Sequence, residues 1–328
     1  DKTHRVPEEG INPMRAMFQH LADLKASGER SLFPENIKIT VGAASCGIAA
    51  GAQSIFEAFD AGVRESTLRA VVTRTGCLGM CSQEPLVDIT IPGKGRFVYG
   101  RVTPAAASGM LSDLKKDTVP HGALFRYNRH EALLGRTVKL YPSARKTAAR
   151  QSPPVISAVP FYKKQYRLVL RNCGLIDPEN ITEYIAQGGY SALAAVLAKK
   201  SPQQVITTVR RARLRGRGGA GFPTGKKWQI CRDSGTGQKY IVCNGDEGDP
   251  GAYMDRCVLE SDPHAVLEGM LIAAYAIGAS QGFIYIRDEY PLAVTRMEHA
   301  IAQAAQARLV GDHILGTPFS CTITIVRG

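Results

Sequence analysis

The order of apolar and polar positions divides the chain into a strand-rich first part and a second part in which strands alternate with helices. Residues 37–41 alternate as in a half-buried strand. Residues 51–63 then carry an apolar stripe at helical spacing, formed by Ile55, Phe56, Phe59 and Val63. Runs of β-branched and apolar residues predict three more strands, at 69–74, 86–90 and 96–99. The pattern therefore predicts an α/β protein.

The second part begins with a helix that has clear start signals. Ser201 occupies the N-cap position, Pro202 the first helical position and Gln204 the third. Residues 239–243 and 319–328 read as strands. Residues 265–279 form the most apolar stretch, which we predict to be a buried helix starting at Asp262 and Pro263.

A loop rich in glycine and basic residues follows the helix that starts at Ser201. Residues 215–228 read RGRGGAGFPTGKKW, with five glycines, two arginines and two lysines. Glycines allow the backbone N–H groups to approach a ligand closely, and basic side chains add charge-assisted hydrogen bonds to phosphate. This composition predicts a phosphate-bearing cofactor.

Two common phosphate motifs do not fit this loop. Gly216, Gly218 and Gly221 satisfy the dinucleotide spacing GxGxxG, but a helix precedes them where that motif needs a strand. A P-loop fails because Ala220 stands at the first glycine position and Lys227 at the Ser/Thr position. A flavin-free Rossmann dehydrogenase is therefore disfavoured.

An acidic turn follows the predicted strand at 239–243. Residues 244–251 read NGDEGDPG and come at the carboxyl end of the strand, where open α/β sheets bind ligands. Carboxylates and an amide at such a place suit ribityl or ribose hydroxyls. A calcium loop or a solvated turn is the alternative, although the spacing is not that of an EF-hand.

The loop and the turn together resemble the FMN- and NADH-binding subunit of respiratory complex I. The resemblance is closer still to the flavin subunits of soluble NAD-dependent formate dehydrogenases and of bidirectional or electron-bifurcating hydrogenases. It covers most of residues 160–328, including 168–174 and 284–291. It implies a Rossmann-like FMN-binding domain that passes a hydride between NAD(H) and FMN and single electrons to iron–sulfur clusters.

The resemblance also implies residue roles. The FMN phosphate and ribityl chain would be held by Gly216, Arg217, Gly218, Gly219 and Lys227. The flavin would be contacted by Asn244, Asp246 and Glu247, and NAD(H) by Phe222 and Asp249. No catalytic side chain is expected, because the cofactors carry the chemistry and the protein aligns their rings.

The cysteines of the first part resemble those of the thioredoxin-like 2Fe–2S ferredoxin domain of the same enzyme systems. Cys77 and Cys81 form a C-x3-C pair, and Cys46 fits the second position of the family's first pair, whose first position is Val41 here. A 2Fe–2S cluster needs four ligands. A domain that kept the fold and lost its cluster, a noncysteine fourth ligand such as Ser45, and a Cys77–Cys81 disulfide stay open as alternatives.

These observations divide the chain into three parts. Residues 1–110 are predicted to be the thioredoxin-like domain, 111–160 a basic, proline-broken linker, and 161–328 the FMN- and NADH-binding domain. In the resembling family the last strand leads to a second loop of the flavin site and then to a 4Fe–4S domain, so a continuation beyond residue 328 is expected. His121 and His130 are expected to be surface residues.

Composition narrows the cellular setting. The net charge is +12, but the basic residues are scattered apart from the cluster at 210–217, which favours anionic cofactors or an acidic partner over nucleic acid. The eight cysteines lack disulfide-like regularity, and five of them (Cys173, Cys231, Cys243, Cys257 and Cys321) are expected to pack as small hydrophobes. No apolar run approaches a membrane span, so a cytoplasmic location without membrane insertion is expected.

The expected partners are an iron–sulfur electron-transfer subunit with a thioredoxin-like 2Fe–2S fold and a catalytic hydrogenase or formate dehydrogenase subunit. Two other interpretations remain: a complex I-type NADH dehydrogenase subunit, and a non-catalytic electron-transfer or scaffold subunit with vestigial sites.

Overall fold

The computed structural model describes residues 13–133, 136–141, 152–235, 237–249 and 251–328. The first residues of the predicted thioredoxin-like domain, residues 142–151 of the predicted linker and Pro250 of the acidic turn lie outside these ranges.

Helices cover much of the described chain. They are α1 (Pro13–Leu32), α2 (Ser45–Ala49), α3 (Ala52–Arg64), α4 (Pro104–Lys115), α5 (Pro160–Lys163), α6 (Ile181–Ala186), α7 (Ser191–Lys199), α8 (Pro202–Arg211), α9 (Thr224–Asp233), α10 (Met254–Ser261), α11 (Pro263–Ile277) and α12 (Pro291–Gln306). The capping box predicted at Ser201 is present, because Gln204 N–H donates to the Ser201 hydroxyl and the Gln204 side chain accepts from the Ser201 N–H. The helices predicted at 51–63 and 265–279 are confirmed as α3 and α11.

The first sheet confirms a thioredoxin-like domain. Its strands are β1 (Ile37–Gly42), β2 (Ala70–Thr75), β3 (Val87–Ile91), β4 (Gly95–Tyr99) and β5 (Phe125–Arg126), in the order β2-β1-β3-β4-β5. β1 and β2 are parallel, joined through α2 and α3, whereas β3 runs antiparallel to β1 and β4 antiparallel to β3. The stripe predicted on α3 supplies Ile55 and Phe59 to the core of this domain, where both are fully buried.

The second sheet has three parallel strands. They are β8 (Tyr240–Gly245), β9 (Gln281–Ile286) and β10 (Thr322–Arg327), in the order β10-β9-β8. Helices α10 and α11 connect β8 to β9, and α12 connects β9 to β10. α11 packs against β8, β9, α8, α9 and α12 and is the central helix of this domain.

Two segments contribute to packing in ways that the sequence pattern did not indicate. Helix α1 packs against α6 and α7, and its Met17 and Leu21 belong to the same hydrophobic core as α11 and α12. In the segment 111–160, β5 extends the first sheet, and Phe125 and Tyr127 are fully buried beside Ile156. A hairpin of β6 (His130–Leu133) and β7 (Arg136–Lys139) follows β5. The division of the chain at residues 110 and 160 stays a prediction.

Buried polar contacts hold the two sheets' domains together. The Arg296 guanidinium on α12 donates to the carbonyl oxygens of Ala43 (2.8 Å) and Glu260 (2.6 Å). Thr75 Oγ1 donates to the Ile176 carbonyl oxygen at 2.7 Å. A Cβ atom on Gly76 would lie 2.2 Å from the Ser261 Cβ, so the backbone of this loop meets α10 at a distance only glycine allows. These contacts define one fixed interface.

The interface also contains a buried ion pair. Lys38 Nζ on β1 lies 2.8 Å from Glu183 Oε1 on α6, and both side chains are almost fully buried. The same carboxylate accepts from the Ser31 hydroxyl and, through Oε2, from the Asp177 N–H. No helix in the described ranges combines the length and the apolar content needed to cross a bilayer.

Replacement of Lys38 by Met is expected to destabilise the fold. Because it leaves the Glu183 carboxylate buried without its cation, the free energy of unfolding should fall by about 3–5 kcal/mol. Lys25→Met is the matched control, since its partner Glu29 is 4.0 Å away at the surface and such pairs contribute about 0–1 kcal/mol. Urea unfolding measures the free energy of unfolding of both variants. An equal decrease in Lys38→Met and Lys25→Met would contradict the stabilising role of the buried ion pair.

Asp262, at the start of α11, is expected to make stability depend on pH. Burial raises the pKa of this carboxyl from 3.8 to about 7, although the charge of Arg171 and the hydrogen bond from Asn172 oppose the shift. The folded state therefore keeps a proton that the unfolded chain loses, and the free energy of unfolding falls as the pH rises from about 4 to about 7.

Asp262→Asn should flatten this pH dependence, because the amide does not titrate. Urea unfolding at several pH values in that window measures the difference between the two proteins. His264, whose pKa burial lowers to about 4, acts with the opposite sign below its ordinary value of 6.5 but is present in both proteins. The same slope in both proteins would contradict the prediction.

Candidate functional site

The carboxyl ends of the three parallel strands meet at one edge of the second sheet. Gly245, the last residue of β8, is paired with Ile286 of β9, which is paired with Arg327 of β10. The acidic turn that follows Gly245 therefore lies at the sheet edge where the sequence predicted it. Beside it lies the segment 287–290 that follows β9.

The acidic turn is shaped by its own side chains. Asn244 Oδ1 accepts from the Asp246 N–H at 2.9 Å, and Asp249 Oδ1 accepts from the Gly251 N–H at 3.1 Å. Asn244, Asp246 and Asp249 are exposed. These groups are therefore open to a ligand along the rim of the sheet.

Glu247 differs from the other acidic residues of the turn because it is buried. Its carboxylate accepts hydrogen bonds from the N–H groups of Met254 and Arg256 and so caps the start of α10. Its carbonyl oxygen accepts from Arg287 Nη1 at 2.9 Å and from the Tyr290 hydroxyl at 3.2 Å. Glu247 is thus fixed from both sides, and Arg287 and Tyr290 are positioning residues that the sequence pattern alone did not assign.

The glycine-rich loop connects α8 to α9, and backbone hydrogen bonds join its two sides. The Gly216 N–H donates to the Phe222 carbonyl oxygen at 2.9 Å, and the Thr224 N–H donates to the Leu214 carbonyl oxygen at 2.9 Å. Gly219 has a φ of 103°, which an L side chain rarely adopts. The tip of the loop is therefore a turn that requires glycine.

The loop combines open backbone with exposed cationic side chains. A Cβ atom on Gly218 or Gly219 would meet no atom within 4 Å, so a ligand can approach the backbone there. Arg217 and Lys227 are exposed, and no described residue pairs with either side chain. Open backbone beside two unpaired cations fits a phosphate group.

Phe222, near the end of the loop, is exposed enough to stack on an aromatic ring of a ligand. Its side chain is 45% exposed, and Lys226 Nζ lies 5.9 Å from the centre of the ring. Large apolar side chains are normally covered unless they meet a partner, although single exposed ones are common.

The loop and the turn are joined through the central helix. Helix α9, which begins where the loop ends, packs on α11, and α11 packs on β8, which ends at the turn. The structure records no direct hydrogen bond between the two motifs within the described ranges. Their common attachment to α11 fixes them in one domain.

A second site candidate lies at the domain interface, where three cysteines meet. Cys46 Sγ on α2 is 3.4 Å from Cys77 Sγ, and Cys77 Sγ is 3.7 Å from Cys81 Sγ. All three sulfur atoms lie within 4.8 Å of one another. The structure therefore brings together the three cysteines that the sequence singled out.

Two cysteines expected to be simple packing residues also belong to this region. Cys257 on α10 has a raised pKa because of its interaction with Cys173 and its burial, and Cys77 is near enough to lower that pKa in part. Interaction with Cys257 and burial raise the pKa of Cys77, and the hydrogen bond that Cys46 donates to Cys77, together with burial, raises that of Cys46. Spacing along the chain gave no signal for this contact, because it joins the two domains.

The cysteine site does not complete the ligand set of a 2Fe–2S cluster. Position 41, which holds the first cysteine of the resembling family, is a valine fully buried in the core of the first domain. Ser45, the alternative ligand, donates its hydroxyl hydrogen bond to Glu260 Oε1. Four ligands are required, and three thiols are present.

Comparison with known proteins finds similarities for much of the second domain. Residues 209–328 match the model of the Nuo51 FMN-binding domain. The NADP-reducing hydrogenase subunit HndC of Solidesulfovibrio fructosivorans is 54% identical over 166 residues, 51% of this chain and 34% of that protein. The NAD-reducing hydrogenase HoxS subunit alpha of Cupriavidus necator is 32% identical over 244 residues, 74% of this chain and 34% of that protein.

The chain spans about a third of the length of these curated relatives. An NADH-quinone oxidoreductase subunit of Escherichia coli is 41% identical over 46% of this chain and 34% of its own length. Among solved structures, an NAD+-reducing NiFe-hydrogenase in the air-oxidized state aligns over 96% of this chain and 51% of its own, with 22% identity and a TM-score of 0.37.

The matched segment contains the glycine-rich loop, the acidic turn and all three parallel strands. Residues 209–328, which carry these features, match the Nuo51 FMN-binding domain.

Proposed function

We propose that this chain is the flavoprotein part of an NAD(P)H-dependent oxidoreductase that passes a hydride between NAD(H) and FMN and single electrons to iron–sulfur clusters. The observation that carries the proposal is the glycine-rich loop, which combines open backbone at Gly218 and Gly219 with the exposed side chains of Arg217 and Lys227. That arrangement suits a phosphate, and it lies within the segment that matches an FMN-binding family.

Within this proposal the residues divide by role. The loop, with Gly216 as its first glycine, holds the phosphate and ribityl chain of FMN. Asn244 and Asp246 contact the ribityl or ring, whereas Glu247 acts by fixing the turn, since its carboxylate caps α10. Phe222 stacks on the nicotinamide or adenine, and Asp249 contacts the dinucleotide from the turn.

The chain's contribution to the reaction is alignment. When bound, FMN supplies two-electron exchange with NAD(H) and one-electron exchange with iron–sulfur centres. The loop and the turn would hold FMN and NAD(H) on one domain, and alignment of two reactants contributes about 7–11 kcal/mol at best in well-oriented reactions. No side chain needs to act as an acid or base.

The preferred enzyme type is a soluble multi-subunit hydrogenase or formate dehydrogenase. The alignment with the NAD-reducing hydrogenase HoxS subunit alpha extends over 74% of this chain, whereas that with the Escherichia coli NADH-quinone oxidoreductase covers 46%. An iron–sulfur subunit and a catalytic hydrogenase or formate dehydrogenase subunit are the proposed partners, in the cytoplasm. A complex I-type subunit is the runner-up.

The full-length protein, reconstituted with FMN, tests the proposal. We expect it to retain the mononucleotide after gel filtration and to catalyse NADH-driven reduction of a viologen dye. A protein that retains no FMN and shows no diaphorase activity would instead be a scaffold subunit. The identity of the co-purified subunits distinguishes a hydrogenase, a formate dehydrogenase and a complex I.

Gly218→Ala is expected to weaken FMN binding without affecting the fold. The added methyl group meets no atom of the protein within 4 Å, but it occupies the space where a phosphate would approach the backbone. We expect the dissociation constant for FMN to rise at least about tenfold, or about 1.4 kcal/mol. Gly269→Ala on α11, also in open space, is the control.

Fluorescence titration of FMN measures both glycine variants. Unchanged FMN affinity in Gly218→Ala would exclude this part of the loop from the phosphate site.

Phe222→Ala is expected to raise the Michaelis constant for NADH and to leave FMN retention unchanged. Stacking of a base on an aromatic ring contributes about 1–3 kcal/mol, so the increase should be roughly 5- to 150-fold. Phe161→Ala is the control, because that ring is 46% exposed and lies on α5. Steady-state kinetics measures the Michaelis constant for NADH in both variants. Equal values in Phe222→Ala and Phe161→Ala would refute the assignment.

A further inference from the structure

The thiol cluster of Cys46, Cys77 and Cys81 is compact enough for its three sulfur atoms to bind one metal ion. In a tetrahedral zinc site with Zn–S bonds of about 2.3 Å, neighbouring sulfur atoms lie about 3.8 Å apart. The distances here are 3.4 Å and 3.7 Å, and no pair exceeds 4.8 Å. In a binuclear cluster, sulfur atoms bound to different irons lie farther apart than those on one iron, and the three thiols show no such separation.

A carboxylate lies next to one of the three thiols, outside the group of sulfur atoms that are all within 4.8 Å of one another. Glu84 Oε1 lies 3.7 Å from Cys46 Sγ. Tetrahedral geometry with a Zn–O bond of about 2.1 Å places oxygen and sulfur ligands about 3.6 Å apart. Glu84 Oε2 accepts from the Leu86 N–H at 2.7 Å, which holds the carboxylate in place and turns Oε1 towards the sulfur atom.

The elements around the cluster give it a fixed frame and an entrance. Cys77 N–H donates to Ser261 Oγ at 3.0 Å, and the Gly79 N–H donates to Cys77 Sγ at 3.2 Å. Cys46 is half-buried and Cys81 is exposed, so an ion can reach the site from solvent. The two segments that supply the thiols come from different parts of the first domain, α2 and the loop after β2.

We propose that Cys46, Cys77 and Cys81 bind a single zinc-type divalent cation in place of a 2Fe–2S cluster, and that Glu84, which lies beside Cys46, moves onto the ion as its fourth ligand. Glu84 replaces the fourth thiolate, which this chain cannot supply from the buried Val41. The ion joins the loop 77–84 to α2. Because zinc has no redox chemistry, the thioredoxin-like domain then acts as a structural part and carries no electrons.

The proposal is tested by comparing the metal content of the unmodified full-length protein with that of a variant that lacks one thiol. The unmodified protein and Cys46→Ser are purified in parallel under a reductant, and zinc and iron are measured by mass spectrometry. We expect the variant to lose about one zinc ion per chain with iron unchanged. Loss of about two iron ions, or no loss of either metal, would overturn the proposal. Cys231→Ser on α9 is the control and should change neither metal.

The role of Glu84 is tested by zinc affinity. Glu84→Gln keeps a carbonyl oxygen for the Leu86 N–H, so the turn should fold, but it removes the anionic ligand. Zinc titration of the metal-stripped protein against a chromophoric chelator should show affinity at least about tenfold weaker. Glu65→Gln, at an exposed carboxylate of the same domain, should bind zinc as the unmodified protein does.

If Glu84→Gln bound zinc as tightly as the control, Glu84 would not be a ligand. The comparison of zinc content between the unmodified protein and Cys46→Ser does not depend on whether Glu84→Gln folds. Neither measurement uses FMN or NADH, so a failure of the metal proposal is separate from a failure of the proposed oxidoreductase function.

Discussion

Helix α10 is held at both ends, and the positions of both candidate sites depend on it. At its start, the Glu247 carboxylate accepts from the N–H groups of Met254 and Arg256. At its end, Glu260 accepts from Ser45, and Ser261 accepts from the Cys77 N–H. The helix has eight residues and is therefore about 12 Å long. A shift of α10 would break contacts at the acidic turn and at the thiol cluster together, so the two sites have one fixed spacing.

Local features of the sequence were enough to predict the elements that frame the sites. The strand pattern at 37–41, the apolar stripe on α3 and the capping signals at Ser201 each depend on residues close in the chain, and each is confirmed. Helix α1 and β5 were not predicted. α1 packs its apolar side chains against α6 and α7, far along the sequence, and β5 is a two-residue strand that is defined by its pairing with β4. Such elements are specified by tertiary contacts.

The same distinction applies to the side chains of the sites. The glycine-rich loop could be recognised because its chemistry lies in consecutive residues, whereas the helix-capping role of Glu247 could not. In sequence it is one more carboxylate of an acidic turn, and in the structure it is buried and caps a helix. Likewise Cys257 has no cysteine at ligand spacing along the chain, yet it contacts Cys77 across the interface. Contacts between domains leave no periodic signal.

The two sites also differ in how far the protein satisfies its own polar groups. At the loop, Arg217 and Lys227 have no partner among the described residues, and the open backbone can accept a large anion, as a site for an exchangeable or added cofactor requires. At the interface, buried bonds from Arg296 and the Lys38–Glu183 pair hold the first domain rigidly against the second. A rigid interface needs no moving part, and a redox-inert metal ion beside it would add a further cross-link between segments already fixed by α10. Charge left unpaired at one site and satisfied at the other therefore favours ligand binding at the loop and a structural role at the cysteines.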